Sequence, residues 1–243
     1  MRQFYTLLII SFFALNLQAQ TSSNGDAIGV KGGFTIAVQR WNGQDRQPLW
    51  AWNGGAWYES LGGKRVGVII GAEYHQKGSA LVNRATQYVN QSGQVVDIPR
   101  QVFNMSFNNI SFLVGGKARH EFTPSLAAYY SLAARLDYTV KYDLGIYQTF
   151  YKDYVRRFNY GITLGGGVEW KLGQSPVSLI ADIAVSPDFS SQIFSPPGYY
   201  QDPQTNQQIQ VQEQKVRNIT IDFNIGFRYN LWANMTDEEP EEE

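Results

Sequence analysis

Two histidines are the side chains best suited to acid–base chemistry in this chain of 243 residues. A hydrolase acting on lipid esters would need a histidine within hydrogen-bond reach of a serine, with that serine facing the lipid. His75 follows Glu73 by two residues on the polar side of an alternating segment, and His120 stands in a predicted turn. Neither position meets the requirement, so we predict that the protein is not an enzyme and has no catalytic residues.

Candidate ligands for metals and cofactors are scattered along the chain. Asp97 and Asp202 stand alone in predicted loops, and the absence of cysteine rules out thiolate ligands and disulfides. Gly165-Gly166-Gly167 is not followed by a helical pattern, so a phosphate-binding loop is not indicated. The formal net charge of -1 argues against a nucleic-acid partner, which would require a basic face. We therefore expect no metal, no cofactor and no nucleic acid.

The first nineteen residues have the pattern of an export signal. Arg2 gives a positive start, residues 4–15 form an almost uninterrupted apolar run, and the segment ends on the small residue Ala19. The apolar run is shorter than the roughly 20 residues of a transmembrane helix, which disfavours the alternative of an uncleaved anchor. We predict a signal peptide at 1–19. The next residue is Gln20 and not cysteine, so a lipoprotein anchor is not expected.

Apolar and polar residues alternate along most of the remaining sequence. Apolar residues at every second position predict β-strands with one uniform apolar face, the pattern of strands that cross an outer membrane. Seven segments alternate clearly, and an eighth is weaker and is needed to make the strand number even. The clear segments are 27–41, 66–77, 109–119, 130–139, 158–171, 177–186 and 218–231, and the weaker one is 49–59.

Short and long connections alternate between these segments. Residues 60–65, 120–125 and 172–176 form predicted short turns, whereas 41–48, 78–105, 141–157 and 187–215 form predicted loops, the last three long and polar. Outer-membrane barrels have short turns at one end and longer loops at the other. We therefore predict an all-β, eight-stranded antiparallel up-and-down transmembrane β-barrel over residues 20–232, with an acidic periplasmic tail at 233–243. The alternative is a soluble lipocalin-like barrel with its apolar face inward.

The polar faces of the predicted strands would fill the barrel lumen. An eight-stranded barrel is only just wide enough for its own side chains, so opposite charges there should pair into a network that plugs it. Arg119 and Lys171 should point inward as well. The predicted lumen charge network is Lys31, Glu73, Lys117, Arg135, Asp137, Glu169, Asp182, Asp222 and Arg228.

Tyrosines are frequent in the predicted long loops. They could form a binding surface for another molecule, or they could pack within the loops. The loop binding candidates are Tyr147, Tyr151, Tyr154, Tyr199 and Tyr200.

Two motifs resemble those of the PorT-like outer-membrane β-barrel proteins common in Bacteroidetes. One is Ile28-Gly29-Val30-Lys31-Gly32-Gly33, which opens the first strand. The other is Gly71-Ala72-Glu73-Tyr74-His75-Gln76-Lys77-Gly78, which closes the third strand and is similar to the family's Glu-x-Tyr-x-x-Lys-Gly element in its Glu, Tyr, Lys and Gly residues. The chain lacks the proline that the family often carries within 108–114. The resemblance implies an outer-membrane location and a small eight-stranded barrel, and some members serve type IX secretion or gliding.

The sequence thus favours a structural or interaction barrel with a plugged lumen that binds through its loops or rim. A small ligand-binding or transport barrel is the alternative. The expected partners are outer-membrane lipid, the barrel assembly machinery during insertion, and proteins of a secretion system or the cell envelope.

Overall fold

The computed structural model describes residues 26–41, 46–61, 65–83, 85–89, 93–145, 151–201 and 208–231. The predicted signal peptide and the predicted acidic tail lie outside the described residues. The strands of the described part are β1 (Asp26–Arg40), β2 (Leu49–Ser60), β3 (Val66–Asn83), β4 (Thr86–Val89), β5 (Val95–Ile98), β6 (Gln101–Thr123), β7 (Leu126–Asp143), β8 (Phe158–Lys171), β9 (Val177–Pro187), β10 (Ile193–Ser195), β11 (Gly198–Gln201), β12 (Gln208–Val211) and β13 (Gln214–Asn230).

Eight long antiparallel strands form a closed ring in the order β1-β2-β3-β6-β7-β8-β9-β13. The ring closes between β1 and β13, whose register runs from Ala27 opposite Asn230 to Arg40 opposite Arg217. Closure leaves no unpaired strand edge, which the interior of a bilayer requires. The predicted eight-stranded up-and-down barrel is confirmed, including its weakest strand, β2. Among the described residues, no helix is long and apolar enough to span a membrane.

The barrel is apolar outside and polar inside. Val30, Phe112 and Phe227 are about half exposed on the outer wall, whereas Asp137 and Asn218 are completely buried within the ring. A soluble barrel would have the opposite polarity, because water would then contact its outer wall. The outer wall is therefore suited to lipid, and the lipocalin-like alternative is excluded.

Several strands are longer than the sequence pattern predicts. β3 continues to Asn83 and β6 begins at Gln101, so the prediction of a loop over 78–105 is wrong. The small hairpin of β4 and β5 lies between them. Likewise, β6 runs through the predicted turn at 120–125 as far as Thr123. Since about 9 to 11 residues cross a bilayer, the 23-residue β6 extends well beyond it.

The two faces of β6 exchange polar and apolar residues beside a β-bulge in β7. The register with β7 shifts between Asn108 and Asn109. After the shift Phe112 faces outward and Ser111 inward, whereas before it Phe107 is buried inside and Asn104 is exposed outside. The extra residue of the bulge is Val140 in β7, between the partners of Asn108 and Asn109. The inward and outward alternation of β6 itself continues unbroken, so its two faces change in residue type and not in direction. We take this bulge as the loop-side boundary of the membrane-spanning part.

Beyond the bulge, an apolar cluster fills the ring. Tyr142, Tyr151 and Val155 pack against it from the loop side. The cluster has the inward apolar packing of a soluble barrel, so the loop-side end of the lumen is closed by hydrophobic side chains. Its buried members are Trp41, Met105, Phe107, Leu144, Ile193 and Val216.

Candidate functional site

A layer of four charged side chains crosses the lumen near its loop-side end. Lys77 Nζ donates to Asp137 Oδ2 and to Asp188 Oδ1, at 2.6 Å each. Arg135 donates through Nε to Asp137 at 3.1 Å and through Nη2 to Asp188. The side chains of all four are essentially inaccessible to solvent. Two cations and two carboxylates give this loop-side layer no net charge.

A serine and a histidine adjoin the loop-side layer. Ser111 Oγ donates to Asp137 Oδ1 at 2.5 Å and lies 3.2 Å from His75 Nε2. In a catalytic triad the histidine stands between the serine and the acid and takes the hydroxyl proton. Here the serine donates to the carboxylate itself, and all three side chains are buried. This order of hydrogen bonds differs from that of a triad, and the absence of catalysis stays a prediction.

A second charged layer lies near the turn-side end. Glu59 accepts from Lys117 Nζ and from Arg228 Nε, at 2.5 Å each. Glu169 accepts from Arg119 Nε at 3.1 Å and from Arg228 Nη1 at 3.4 Å. Glu59, Glu169, Lys117 and Arg228 are buried, while Arg119 is partly exposed. The four buried charges of this turn-side layer also cancel.

A small cavity of about 50 Å³ lies between the two layers. Lys31 Nζ reaches into it, 2.8 Å from Glu73 Oε1 and 3.8 Å from Asp182 Oδ2. Tyr129 Oη and Asn224 Nδ2 donate to Asp182 at 3.0 and 2.7 Å. Since one water needs about 10–15 Å³ of such space, the cavity has room for only a few water molecules.

The structure brings eight of the nine predicted network residues into these three groups. Asp222 is the exception, because it accepts from Thr35 Oγ1 at 2.6 Å and contacts Asn53, with no cation in the described part within ion-pair distance. The predicted inward residue Lys171 is exposed at the turn end.

Four important lumen residues were not among the predicted network. Lys77 shares the face of His75, and both Glu59 and Trp57 share the face of Asn53, so the alternation contained a signal for all three. Trp57 packs with Tyr129 and Ile180 and donates to Glu59 at 3.3 Å. Asp188 stands at the start of the predicted loop 187–215, where no periodic pattern distinguishes it.

The loop tyrosines divide into a packed one and exposed ones. Tyr151 lies edge-on to Trp41, with ring centroids 5.6 Å apart, and so belongs to the apolar cluster. Tyr154 and Tyr199 are 41% and 71% exposed and can meet another molecule. Tyr147 and the side chain of Tyr200 lie outside the described residues.

Comparison with solved structures finds outer-membrane barrels. OprG from Pseudomonas aeruginosa is 12% identical with a TM-score of 0.51, over 87% of this chain and 99% of that chain. Ail of Yersinia pestis is 13% identical with a TM-score of 0.37, over 84% and 99% of the two chains. No protein-family model and no curated protein matches the sequence. The likeness to OprG and the outward apolar face show that this chain has the fold of a small outer-membrane β-barrel.

Proposed function

We propose that the protein is an outer-membrane barrel with a closed lumen, acting as a structural or interaction protein through its loops and rim. The observation that carries this proposal is the pair of buried, electrically neutral layers that cross the lumen at two levels. Each layer connects strands from different sides of the ring. The apolar cluster adds a third closure on the loop side.

The energetics of the layers favour a permanently closed lumen. Opening a path for ions would require a buried cation to leave its carboxylates. Breaking such a pair leaves an uncompensated buried charge and costs about 3–5 kcal/mol. Between the two layers, the described side chains line a central cavity of about 50 Å³.

Exposed apolar side chains beyond the membrane boundary support a binding role for the loops. Val95 and Val102 are exposed by 63% and 50% at the projecting β3–β6 end, and Tyr199 is exposed on the β11–β12 hairpin. Exposed aromatic and aliphatic groups on loops are typical of protein-contact surfaces. The resemblance to PorT-like barrels supports a finer proposal, a cell-envelope partner linked to type IX secretion or gliding.

Planar bilayers test the closed lumen. Purified protein should insert without producing steady conductance, because the two layers leave no continuous water path. Steady, ion-selective channels would contradict the proposal and favour the alternative of a transport barrel.

Site-specific crosslinking tests the binding role. A photoreactive residue replacing Tyr199 should capture a defined envelope protein in intact cells. The matched control replaces Tyr130, which is similarly exposed but faces lipid on β7. Equal capture from both positions, or none from Tyr199, would count against loop-mediated binding. Normal secretion after deletion of the protein would remove support for the secretion link.

A further inference from the structure

On the adjacent strands β1 and β13, outward-facing cations follow the lipid-facing apolar residues towards the loops. Arg40 follows Val38 on the outer face of β1, and Arg217 precedes Ile219 on the outer face of β13. Both arginines are exposed. They therefore stand where the apolar wall ends on the loop side.

Arg40 and Arg217 are also direct neighbours across the strand pair. They are register partners where β1 and β13 close the ring. Like charges directly opposite each other on one face of a sheet destabilise it, since their Cβ atoms are only about 5 Å apart. Within the described part of the chain, neither arginine forms an ion pair. An anion held between the two guanidinium groups would remove this repulsion.

More cations extend this edge around the barrel. Arg156 Cζ and Lys215 Nζ lie 4.9 and 5.7 Å from the ring centre of Phe194, which is paired with β13. Lys215 is partly neutralised by Glu213 at 2.5 Å. Arg157 Nη1 donates to Tyr138 Oη at 3.4 Å. We call the set Arg40, Arg156, Arg157, Lys215 and Arg217 the basic arc.

Aromatic rings locate the arc relative to the membrane. Phe34 and Trp50 pack at 5.9 Å, and Tyr138 and Phe158 pack at 5.1 Å, all on the outer wall on the membrane side of the arc. Aromatic girdles mark the membrane–water interfaces of such barrels. Cations immediately beyond a girdle lie at the level of the lipid headgroups, and arginine forms paired hydrogen bonds with phosphate.

We propose that the basic arc binds phosphate-bearing lipid headgroups of the loop-side leaflet, with Arg40 and Arg217 as the principal site. The inference rests on the membrane-spanning barrel and is independent of protein binding by the loops. The continuity of the arc with the lipid-facing wall favours a lipid over a soluble anion.

Quenching by brominated lipids provides the test. The protein is folded in phosphatidylcholine vesicles that contain either brominated phosphatidic acid or brominated phosphatidylcholine at equal mole fraction. Trp50 and Trp52, exposed on the neighbouring strand β2, report nearby lipid. We expect phosphatidic acid to be preferred by about fivefold, the contribution of roughly one arginine near an anionic surface, and the preference to fall in high salt.

Matched double variants identify the site. Arg40→Gln with Arg217→Gln should reduce the preference for phosphatidic acid over phosphatidylcholine to a ratio near one. Arg65→Gln with Lys171→Gln removes the same charge from exposed positions at the turn end and should leave the preference intact. Circular dichroism of each variant in vesicles verifies that the barrel has folded.

Three results of the quenching assay would overturn the proposal. They are no preference in the unaltered protein, an unchanged preference in the Arg40/Arg217 variant, and an equal loss in both variants, which would indicate bulk charge alone. Stronger binding of a soluble heparin fragment than of phosphatidic acid vesicles would show that the arc takes a soluble polyanion. None of these results bears on conductance or on crosslinking at Tyr199, so the two proposals can fail separately.

Discussion

Lys77 in β3 and Asp188, the residue after β9, form a buried ion pair with 2.6 Å between Nζ and Oδ1. The two residues are 111 positions apart in the sequence. In the order of the ring, β3 and β9 lie on opposite sides. The pair therefore joins opposite walls of the barrel through the lumen and ties the loop-side end of the ring together.

Replacing Lys77 with methionine should strongly destabilise the barrel. The change leaves Asp137 and Asp188 buried with only Arg135 as counter-charge, and the expected loss is about 3–5 kcal/mol of unfolding free energy. Guanidinium titration of protein folded in phosphatidylcholine vesicles measures it. Lys152→Met, at an exposed position, is the control and should change stability by less than about 0.5 kcal/mol. A small loss for Lys77→Met would show that the pair does not stabilise the lumen.

Glu59→Gln should weaken the turn-side layer. Lys117 and Arg228 then lose their shared carboxylate, and Glu169 alone faces the cations, so we expect a loss of about 3 kcal/mol. Glu121→Gln is the control, because Glu121 pairs with Arg119 at an exposed position. The same titration measures both variants, and equal effects would contradict a special role for Glu59.

Gly33→Ala should disturb the seam that closes the ring. A Cβ atom at Gly33 would lie 1.8 Å from the carbonyl oxygen of Phe223 in β13, so the two backbones would have to separate. We expect a loss of at least about 1–3 kcal/mol, the usual cost of overpacking. Gly32→Ala is the adjacent control, since its Cβ would meet only Asn53 O at 3.5 Å. A loss confined to Gly33→Ala would confirm the close approach, and equal losses would contradict it.

An arginine scan along β6 should locate the membrane boundary. Phe112→Arg places a charge on the lipid-facing wall and should cost about 2–4 kcal/mol near the bilayer midplane. Asn104→Arg, on the outer face beyond the bulge, should cost close to nothing because its side chain meets water. Unfolding in vesicles measures both. Equal costs would show that the boundary does not lie at Asn108 and Asn109.

The alternation in the sequence was enough to predict the strands and their lipid-facing sides. The period of two follows from strand geometry, so Val30, Phe112 and Phe227 could be assigned to one wall from local sequence alone. The strand ends were harder to predict. On the loop side of Asn108, the apolar residues of β6 lie on the inner face. This change interrupts the alternation of apolar and polar residues, so the sequence pattern did not show that β6 extends into the predicted loop.

The sequence by itself determined that charged residues face a narrow lumen, because they occupy the strand positions opposite the apolar ones. Only the tertiary structure decided which charges meet. Lys77 pairs with Asp188, and Glu59 pairs with Arg228, because the register of the eight strands determines the level of each side chain along the barrel axis. That register depends on hydrogen bonds between strands far apart in the sequence and on bulges and turns, and local patterns do not encode it.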